Sequence, residues 1–251
     1  MIGLVALTER MVLGTLRDDL PFAVVATVGF YVAFNLSLGH VIDTGDVSYA
    51  QYLLPAIVVQ ILLIGVLTAV DRAARDRQSA FGTYLRTLPV PRVVPLMARM
   101  LYCVLRGVLV LIAAFAIGYV FGFRMVGGFG YTLAFIVLVL VFNLALSLGA
   151  DAAGSWAGDT GIARSGASSQ LLLIPQMLLV MLSTGMAPAD SFPDWLYSFV
   201  KYQPISQVTE SLRGLADGDV MVGNLATSAA WCFGLLVVFG ATALAMQRRA
   251  G

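Results

Sequence analysis

Long runs of apolar residues, separated by short polar stretches, dominate the chain. A helix needs about 20 apolar residues to cross the ~30 Å hydrocarbon core of a bilayer, and six runs come close to that length. They cover residues 20–38, 52–70, 100–123, 131–150, 170–186 and 225–246. The runs do not alternate as β-barrel strands would, and in lipid that leaves helices as the only way to satisfy the backbone. The pattern therefore predicts an all-α membrane protein with six transmembrane helices.

The composition supports a membrane protein. Hydrophobic residues make up 59% of the 251 residues and charged residues only 12%, with a mean hydropathy of +0.89. A soluble domain could not cover its surface with so few charges, so a free-standing soluble protein is excluded. The net charge of +1 gives no reason to expect a nucleic-acid partner. Cys103 and Cys232 both lie inside apolar runs, which favours small buried side chains over a disulfide.

The basic residues are divided unevenly between the two sides of the six-span arrangement. Of the 15 lysines and arginines, only Arg124, Lys201 and Arg213 fall on the side reached after the first, third and fifth spans. The remaining twelve (15 minus 3) lie on the other side, together with both termini. Because short cytoplasmic segments collect Lys and Arg, we predict that both termini are cytoplasmic.

Three segments outside the spans are more patterned than simple connectors. Residues 1–18 have an apolar side and a polar side, which predicts an elbow helix lying in the membrane interface. Residues 71–99 form the most basic part of the chain, and residues 187–224 form the longest and most aromatic outward-facing segment. We assign all three to a single transmembrane domain that covers residues 1–251.

The basic segment divides into a helical half and a proline-rich half. Phe81, Tyr84, Leu85 and Leu88 recur at the spacing of one helix face. That apolar face could lie on the membrane surface, or it could insert into a groove of a cytoplasmic protein with the flanking charges as its rim. The flanking charged residues are Arg72, Arg75, Asp76, Arg77 and Arg86. The helix is expected to end at a group of prolines before the third span: Pro89, Pro91 and Pro95.

Two short helices are predicted in the outward segment. Pro193 would open the first, and Pro204 would open a second that stops at Gly214. Helices this short seldom stand alone in water, so we expect them to pack on the bundle or to re-enter the outer leaflet. Trp195 and Phe199 on the first helix would form either an aromatic belt at headgroup depth or a lid over a substrate exit.

Several kinds of chemistry are excluded by the residues that the chain lacks. Lys201 is the only lysine and lies in the outward segment, so there is no phosphate-binding loop of the type G-x-x-x-x-G-K-[ST]. The chain is therefore not expected to hydrolyse ATP. His40 is the only histidine, which disfavours a serine–histidine nucleophile and a multi-histidine metal site. We predict no catalytic residue, no metal site and no cofactor bound by this chain.

Polar and charged residues within the spans are few. A charge at the bilayer centre costs several kcal/mol and usually marks an ion path. Arg106 and Asp151 lie near the ends of the third and fourth spans, where we expect them to snorkel to the interface, and an ion-coupled carrier is disfavoured. For the polar residues Asn35, Asn143 and Gln176, hydrogen bonds between helices are favoured over substrate contact.

Taken together, these segments resemble a type 2 permease of an ATP-binding-cassette (ABC) transporter. The stretch from Asp71 to Arg92, with Phe81-Gly82-Thr83-Tyr84-Leu85-Arg86 at its centre, looks like the coupling segment of that family. A more specific similarity lies in the outward segment, and it is to the daunorubicin-resistance branch, including mycobacterial permeases that export phthiocerol dimycocerosate lipids. The motifs are Leu182-Ser183-Thr184-Gly185-Met186-Ala187-Pro188, Ser191-Phe192-Pro193-Asp194-Trp195-Leu196 and Tyr202-Gln203-Pro204-Ile205-Ser206-Gln207.

The resemblance implies a half-transporter in the bacterial cytoplasmic membrane. Two permeases, identical or paralogous, would form the translocation path as a dimer among the membrane lipids. Two copies of a separate cytoplasmic ATPase would bind ATP and Mg²⁺ and drive transport. The substrate would be hydrophobic or amphiphilic, either a lipid or a drug-like polyketide, and its export would confer antibiotic resistance in the second case.

The resemblance also implies two sets of site residues. Residues expected to couple the chain to the ATPase are Arg72, Arg75, Asp76, Arg77, Phe81, Gly82, Thr83, Tyr84, Leu85 and Arg86. Residues expected to line the substrate path and the extracellular gate are Asn35, Gln176, Gly185, Met186, Trp195 and Phe199.

A second class of function would use some of the same features. A membrane anchoring or assembly subunit could recruit a cytoplasmic partner through the basic segment without transporting anything, and it would need no exit lid. Replacing Trp195 and Phe199 by Ser should then be harmless, whereas an exporter should lose substrate release.

Overall fold

The computed structural model describes residues 19–38, 49–79, 93–160, 168–185 and 192–249. These residues form eight α-helices and no β-strand, which confirms the prediction of an all-α protein. The helices are α1 Asp19–Leu38, α2 Tyr49–Gln78, α3 Val93–Val120, α4 Phe129–Asp159, α5 Ser168–Met181, α6 Asp194–Tyr202, α7 Pro204–Asp217 and α8 Val222–Arg249. The predicted elbow helix over residues 1–18 and the predicted apolar face from Phe81 to Leu88 lie outside the described residues.

Five of these helices are long and apolar enough to cross a membrane, namely α1, α2, α3, α4 and α8. They correspond to five of the six predicted spans. The predicted fifth span overlaps α5, a helix of only 14 residues with Pro175 inside it. A full helical crossing takes about 20 residues. The apolar run is longer than the helix because it continues into a turn over residues 182–185.

At one end of the bundle, α2 and α3 extend well beyond their predicted spans. α2 continues without a break to Gln78, so the charged residues after Val70 form its last two turns. α3 begins at Val93, which places Pro95 in its first turn. The expectation that Pro95 ends the preceding helix is therefore wrong, because proline is tolerated in a first turn, where its missing N–H would have had no partner.

The helix termini collect at two ends of the bundle. Ion pairs and hydrogen bonds bring together the starts of α1, α3 and α5 and the ends of α2, α4 and α8, and we name this the arginine-rich end. The opposite end, which we name the aromatic end, holds α6, α7 and the α3–α4 loop. There the Val126 N–H donates to the Ala216 carbonyl at 3.0 Å, which ties that loop to α7.

α2 lies at the centre of the bundle. It contacts α1, α3, α4, α5 and α7, and its contact with α4 is the most extensive. Leu54, Ile61 and Leu62 of α2 join Phe135 and Phe142 of α4 in the main apolar cluster. A helix buried on most sides is expected to be apolar nearly all round, as α2 is along its spanning part. α8, in contrast, lies at the periphery with most of its residues exposed.

Two glycines of α4 allow α2 to approach closely at the arginine-rich end. A Cβ atom at Gly154 would collide with the Val70 carbonyl and would lie 2.7 Å from the Cβ of Ala73. A Cβ atom at Gly158 would lie 2.7 Å from the Cβ of Arg77. Small residues permit such close approach between membrane helices. The two backbones are therefore in direct contact where α2 leaves the apolar part of the bundle.

Although α5 is short, the segment that contains it follows α2 from one end to the other. At the arginine-rich end the Ser169 N–H donates to Asp71 Oδ1 at 3.0 Å. At the aromatic end the Tyr52 hydroxyl donates to the Thr184 carbonyl at 3.3 Å. Residues 52 and 71 are 71 − 52 = 19 positions apart on one helix, a rise of about 28 Å. Residues 168–185 thus cover nearly the depth of a hydrocarbon core.

The two short helices predicted in the outward segment are present. α6 follows Pro193, and α7 opens at Pro204 as predicted. α7 does not stop at Gly214, however, but continues to Asp217. Gly218 ends it with the left-handed backbone that glycine adopts without strain, at φ 78°. A Cβ atom on Gly218 would also lie 2.8 Å from the Cα of Gly127, so both the turn and the packing require glycine there.

Candidate functional site

The predicted coupling residues at the end of α2 do not all face solvent. Arg75 is exposed, and its Nε donates to the Asp71 carbonyl of the preceding turn at 3.2 Å. Arg77 reaches across to α4 and α8, where its Nη2 lies 3.7 Å from Asp159 Oδ2 and donates to the Met246 carbonyl at 3.2 Å. The remaining coupling candidates, from Phe81 to Arg86, lie outside the described residues.

Asp19, at the start of α1, joins three helices through one carboxylate oxygen. Arg72 Nη2 of α2 lies 2.8 Å from Asp19 Oδ2, and the Tyr102 hydroxyl of α3 donates to the same oxygen at 2.6 Å. Arg106 Nε of α3 lies 3.5 Å from it. The Arg72 guanidinium also stacks over the Tyr102 ring at 4.3 Å from the ring centroid, a favourable cation–π contact. We name these four residues the Asp19 cluster.

A second group of charges connects α3 with α4 and α2. Arg99 Nε lies 2.5 Å from Asp151 Oδ1 of α4, and Arg99 Nη1 lies 3.9 Å from Asp76 Oδ2 of α2. The Asp76 carboxylate is partly exposed, whereas the Asp151 carboxylate is almost completely buried. Arg99 therefore bridges a buried charge and a surface charge on two different helices.

The prediction that Arg106 and Asp151 snorkel to the membrane interface is wrong. Arg106 is 4% exposed and Asp151 is 3% exposed, and each is paired within the bundle. Space for the Arg106 side chain comes from Gly65 of α2, where any Cβ atom would collide with the guanidinium. The sequence did contain a signal for this arrangement, because charges of opposite sign lie at or near the same predicted end of the first four spans: Asp19, Arg72, Arg99, Arg106 and Asp151.

These ion pairs connect the ends of α1, α2, α3 and α4 at the arginine-rich end. Buried charges depend on their partners, and removing one partner from a buried pair typically costs about 3–5 kcal/mol. α2 is held to α1 through Asp19, to α3 through Arg99 and to α4 through Arg77 and the two glycines. A displacement of the last turns of α2 would therefore move its neighbours as well.

At the aromatic end, a polar network holds the turn over residues 182–185. Gln203 Nε2 donates to the Leu182 carbonyl and also to Ser206 Oγ, at 3.1 Å for the second bond. Ser206 Oγ accepts the Thr184 N–H at 3.0 Å. Gln203 and Ser206 lie at the start of α7, so this helix fixes the turn that follows α5.

Arg213 of α7 is the centre of that network. Its Nη1 donates to the Thr184 carbonyl at 3.0 Å and to Glu210 Oε1 at 2.8 Å, and its Nε donates to the Tyr52 carbonyl at 3.2 Å. The guanidinium lies 3.6 Å from the centroid of the Tyr52 ring. Arg213 is buried and thus connects α7, α2 and the turn. From the sequence, Arg213 had been considered only as one of three basic residues on the outward-facing side.

The residues predicted for the substrate path are dispersed. Asn35 on α1 and Gln176 on α5 are half-buried, and Gly185 lies in the turn beside Ala56 of α2. Met186 lies outside the described residues. Asn143, for which a hydrogen bond between helices was favoured, does make one: its Nδ2 donates to the Cys103 carbonyl of α3 at 2.9 Å.

The predicted aromatic pair lies on the outer surface of α6. Trp195 is 81% exposed and Phe199 is about half exposed, so neither side chain is packed into the bundle. That placement is compatible with the belt and with the lid, because both would use the same exposed rings.

A small open cavity lies between α2, α7 and the turn, and about 10 Å³ of it is accessible to a water-sized group, which is room for roughly one water molecule. It is mainly apolar, with Ala56 and Val59 of α2 among its walls, and it contains three polar side chains. These are Gln60 of α2, Ser183 of the turn and Thr209 of α7. Gln60 was not among the polar span residues singled out from the sequence, although it is a glutamine midway along the second predicted span.

Comparison with known proteins covers most of the chain. The model of the ABC-2 family transporter protein matches residues 29–245. This match includes α2 through α7 and therefore both the arginine-rich end of α2 and the turn at the aromatic end.

Three similar proteins have related names. A probable doxorubicin resistance ABC transporter permease, DrrC of Mycobacterium tuberculosis, is 25% identical over 97% of this chain and 87% of its own. The doxorubicin resistance permease DrrB of the same organism is 28% identical, over 90% of this chain and 80% of its own. The daunorubicin resistance permease DrrB1 of Streptomyces coeruleorubidus is 25% identical, over 87% of this chain and 76% of its own.

Proposed function

Because this chain belongs to the ABC-2 family of transporter proteins, in which it is a membrane permease subunit, we propose that it exports hydrophobic or amphiphilic molecules. The observation that carries this proposal is the course of α2. One continuous helix starts at the aromatic end, lines the cavity with residues 56–63 and finishes in the coupling candidates Arg72, Arg75, Asp76 and Arg77. A single helix thus connects the end where the ATPase would act with the aromatic end, where the substrate would leave.

Energy would come from a separate ATPase, since the sequence has no phosphate-binding loop of its own. In this proposal two ATPase copies bind ATP and Mg²⁺ and close against two permeases, either identical or paralogous. The face of Phe81, Tyr84 and Leu85 would insert into a groove on the ATPase, as amphipathic helices commonly do. Arg72, Arg75, Asp76, Arg77 and Arg86 would form the charged rim.

Movement would reach the aromatic end through α2 acting as a lever. Its 30 residues give a length of about 45 Å, and packed helices transmit displacement because protein interiors resist compression. The close contact with α4 and the Asp19 cluster would make α1, α3 and α4 move with it. At the far end, α2 carries Tyr52, which holds Arg213 and the turn, so the same movement would loosen the cavity wall.

We infer that α5 supplies a sixth crossing, completed by the turn that follows it. The bonds from Ser169 to Asp71 and from Tyr52 to Thr184 support this, because they tie the segment to both ends of α2. The orientation follows from charge: the arginine-rich end would be cytoplasmic, with both termini on that side, by the positive-inside rule.

The substrate class is proposed from the relatives and from the walls of the cavity. The similar proteins are named for resistance to doxorubicin or daunorubicin, and the described residues that line the cavity are mainly apolar and include no charged side chain. An aromatic polyketide is therefore a better candidate than a charged nutrient. A lipid remains the second substrate class with the same apolar character.

The test is doxorubicin accumulation in bacteria that express the permease with the ATPase encoded beside it. Wild type should lower accumulation, and Tyr84→Glu/Leu85→Glu should abolish that effect because two charges would enter the apolar docking face. A matched variant, Val126→Glu/Phe129→Glu, adds the same charges to exposed residues at the aromatic end and should still export. Unchanged export by the Tyr84/Leu85 variant, without co-purification of a P-loop ATPase, would contradict the coupling assignment, whereas a wild type that leaves doxorubicin accumulation unchanged would favour an anchoring subunit.

A further inference from the structure

Gln51 joins the first turn of α2 to the α3–α4 loop through both ends of its amide. Its Nε2 donates to the Arg124 carbonyl at 2.7 Å, and its Oε1 accepts the Arg124 N–H at 3.0 Å. The two residues are 73 positions apart in the chain, and Gln51 is only 7% exposed. One buried side chain thus satisfies both main-chain groups of a single loop residue.

Arg124 is itself held on the end of α3, so Gln51 is bonded to a fixed point. Its Nη1 donates to the carbonyls of Tyr119 and Phe123, at 2.9 and 2.8 Å, and the guanidinium lies 5.3 Å from the centroid of the Tyr119 ring. Phe123 is fully buried, and its N–H donates to the Gly118 carbonyl of α3 at 2.8 Å. A displacement of α2 relative to α3 would therefore act directly on the bonds between Gln51 and Arg124.

The α3–α4 loop is also connected to α7, as described above. α7 in turn holds the turn over residues 182–185 and donates from Arg213 Nε to the Tyr52 carbonyl at 3.2 Å. We name these three parts, residues 121–128, α7 and residues 182–185, the outer cap. The first turn of α2 is hydrogen-bonded to the outer cap through two adjacent residues, Gln51 and Tyr52.

The two ends of α2 are held by interactions of different strength. At the arginine-rich end, separation of a buried ion pair leaves an uncompensated charge inside the protein, which is strongly unfavourable. The bonds between Gln51 and Arg124 are neutral, and each contributes little in net terms because water can replace it when this end opens. When α2 is displaced, this pair should therefore separate before the Asp19 cluster does.

We propose that Gln51 is a latch on the outer cap. In the state described here the latch is closed, and ATP-driven movement of α2 would separate Gln51 from Arg124 so that the cap opens and substrate leaves. Gln51 is a positioning residue in this proposal, because it acts through the loop and α7. The inference rests on the proposed export function and adds a step to it.

Hydrogen–deuterium exchange of the permease–ATPase complex in nanodiscs tests the latch, with and without ATP and vanadate. In wild type, residues 121–128 should exchange slowly without nucleotide and faster in the vanadate-trapped complex. In Gln51→Leu they should exchange roughly ten- to thirtyfold faster without nucleotide, the worth of two neutral hydrogen bonds, and gain little on trapping. Thr242→Val removes an exposed hydroxyl that is bonded within α8 and should behave as wild type.

A reversible lock separates the latch from a role in folding. In Gln51→Cys/Arg124→Cys, a cleavable bis-thiosulfonate reagent would join the two positions before reconstitution, and the native Cys103 and Cys232 are buried. The joined protein should lose most ATP-driven uptake of doxorubicin into inverted vesicles and regain it when a membrane-permeant reductant cleaves the linker. Recovery would exclude misfolding as the cause, and the two single-cysteine variants, treated in the same way, should keep their uptake.

The outcomes distinguish the latch from the proposed function. Slow exchange of residues 121–128 in Gln51→Leu without nucleotide, or full uptake by the joined protein, would overturn the latch while leaving export intact. The same conclusion would follow if the wild type exported doxorubicin without any nucleotide-dependent exchange in these residues. A wild-type complex whose loop responds to nucleotide, but which takes up no doxorubicin, would support the latch and contradict the proposed function.

Discussion

Among the charged residues at the arginine-rich end, Asp19 should be the one whose substitution lowers the stability of the protein most. Asp19→Asn is the variant that tests this prediction. Asparagine has nearly the same shape and can still accept the Tyr102 hydroxyl, so the substitution removes mainly the negative charge. Arg72, at 2.8 Å, and Arg106, at 3.5 Å, would then lose that charge together. The guanidinium of Arg106 would be left buried without a counter-charge.

The magnitude follows from burial. Removing one partner of a buried ion pair costs about 3–5 kcal/mol, and the lower value applies here because the Arg72 side chain is 17% exposed. A loss of about 3 kcal/mol is roughly a hundredfold in the folding equilibrium. For a chain of this size it corresponds to a decrease in Tm of roughly 6–12 °C.

The assay is thermal unfolding in detergent, followed by fluorescence-detected size exclusion. Asp217→Asn makes the same chemical change at an exposed residue that takes part in no ion pair of the described structure, and it should shift stability by no more than about 0.5 kcal/mol. Asp19→Asn/Arg106→Gln should recover part of the loss, because the buried arginine is removed with its partner. The reasoning is refuted if Asp19→Asn is as stable as Asp217→Asn.

Three further predictions concern other parts of the bundle. Gly154→Leu should separate α2 from α4 by overpacking, at a cost of about 1–3 kcal/mol in stability, and should uncouple ATP hydrolysis from export. Gly29→Leu, on an open surface of α1, should do neither. Normal coupling in Gly154→Leu would contradict the proposal that α2 transmits movement as a lever. Arg213→Met should free the turn, so that a cysteine at the buried Ser183 reacts faster with maleimide; an unchanged rate would show that Arg213 does not hold it. Trp195, exposed on α6, should be quenched by lipids brominated near the headgroup when Trp156 and Trp231 are Phe; quenching by aqueous acrylamide alone would favour a solvent-facing lid.

Much of the fold could be predicted from the sequence because the bilayer imposes strong local rules. Apolar length alone identified five long helices, and proline positions located the starts of α6 and α7. The interhelical hydrogen bond of Asn143 could be predicted because lipid offers no partner to a polar side chain within a span. Each of these inferences depends on a short stretch of chain, which is why one sequence was sufficient.

The ion pairs could not be assigned in the same way. Asp19 and Arg106 are 87 residues apart (106 − 19), and their contact depends on how three helices pack, with Gly65 leaving the necessary space. Snorkelling is the usual outcome for a charge near the end of a span, and tertiary packing overrode it here. Similarly, Gln60 lines a cavity only because the turn after α5 packs beside it on α2, and that contact is not visible in the sequence.

The length of α5 was overestimated for a related reason. Hydropathy does not distinguish a helical residue from an apolar residue in a turn, and the run continues past Met181 into residues 182–185. Polar bonds from Gln203, Ser206 and Arg213, which are distant in sequence, stabilise that turn. The apolar run therefore contains two structures that only the tertiary contacts separate.

The central claim is that a separate ATPase acts on the arginine-rich end, and cross-linking from α2 tests it most directly. A photoreactive benzoylphenylalanine would replace Arg75, which is exposed at that end, or Ser198, which is exposed on α6 at the aromatic end. After irradiation of intact cells, the captured proteins would be identified by mass spectrometry. We predict a P-loop ATPase bound at position 75 and none at position 198. Capture of that ATPase at position 198 would contradict the orientation, and its absence at position 75 would contradict the proposed route of coupling.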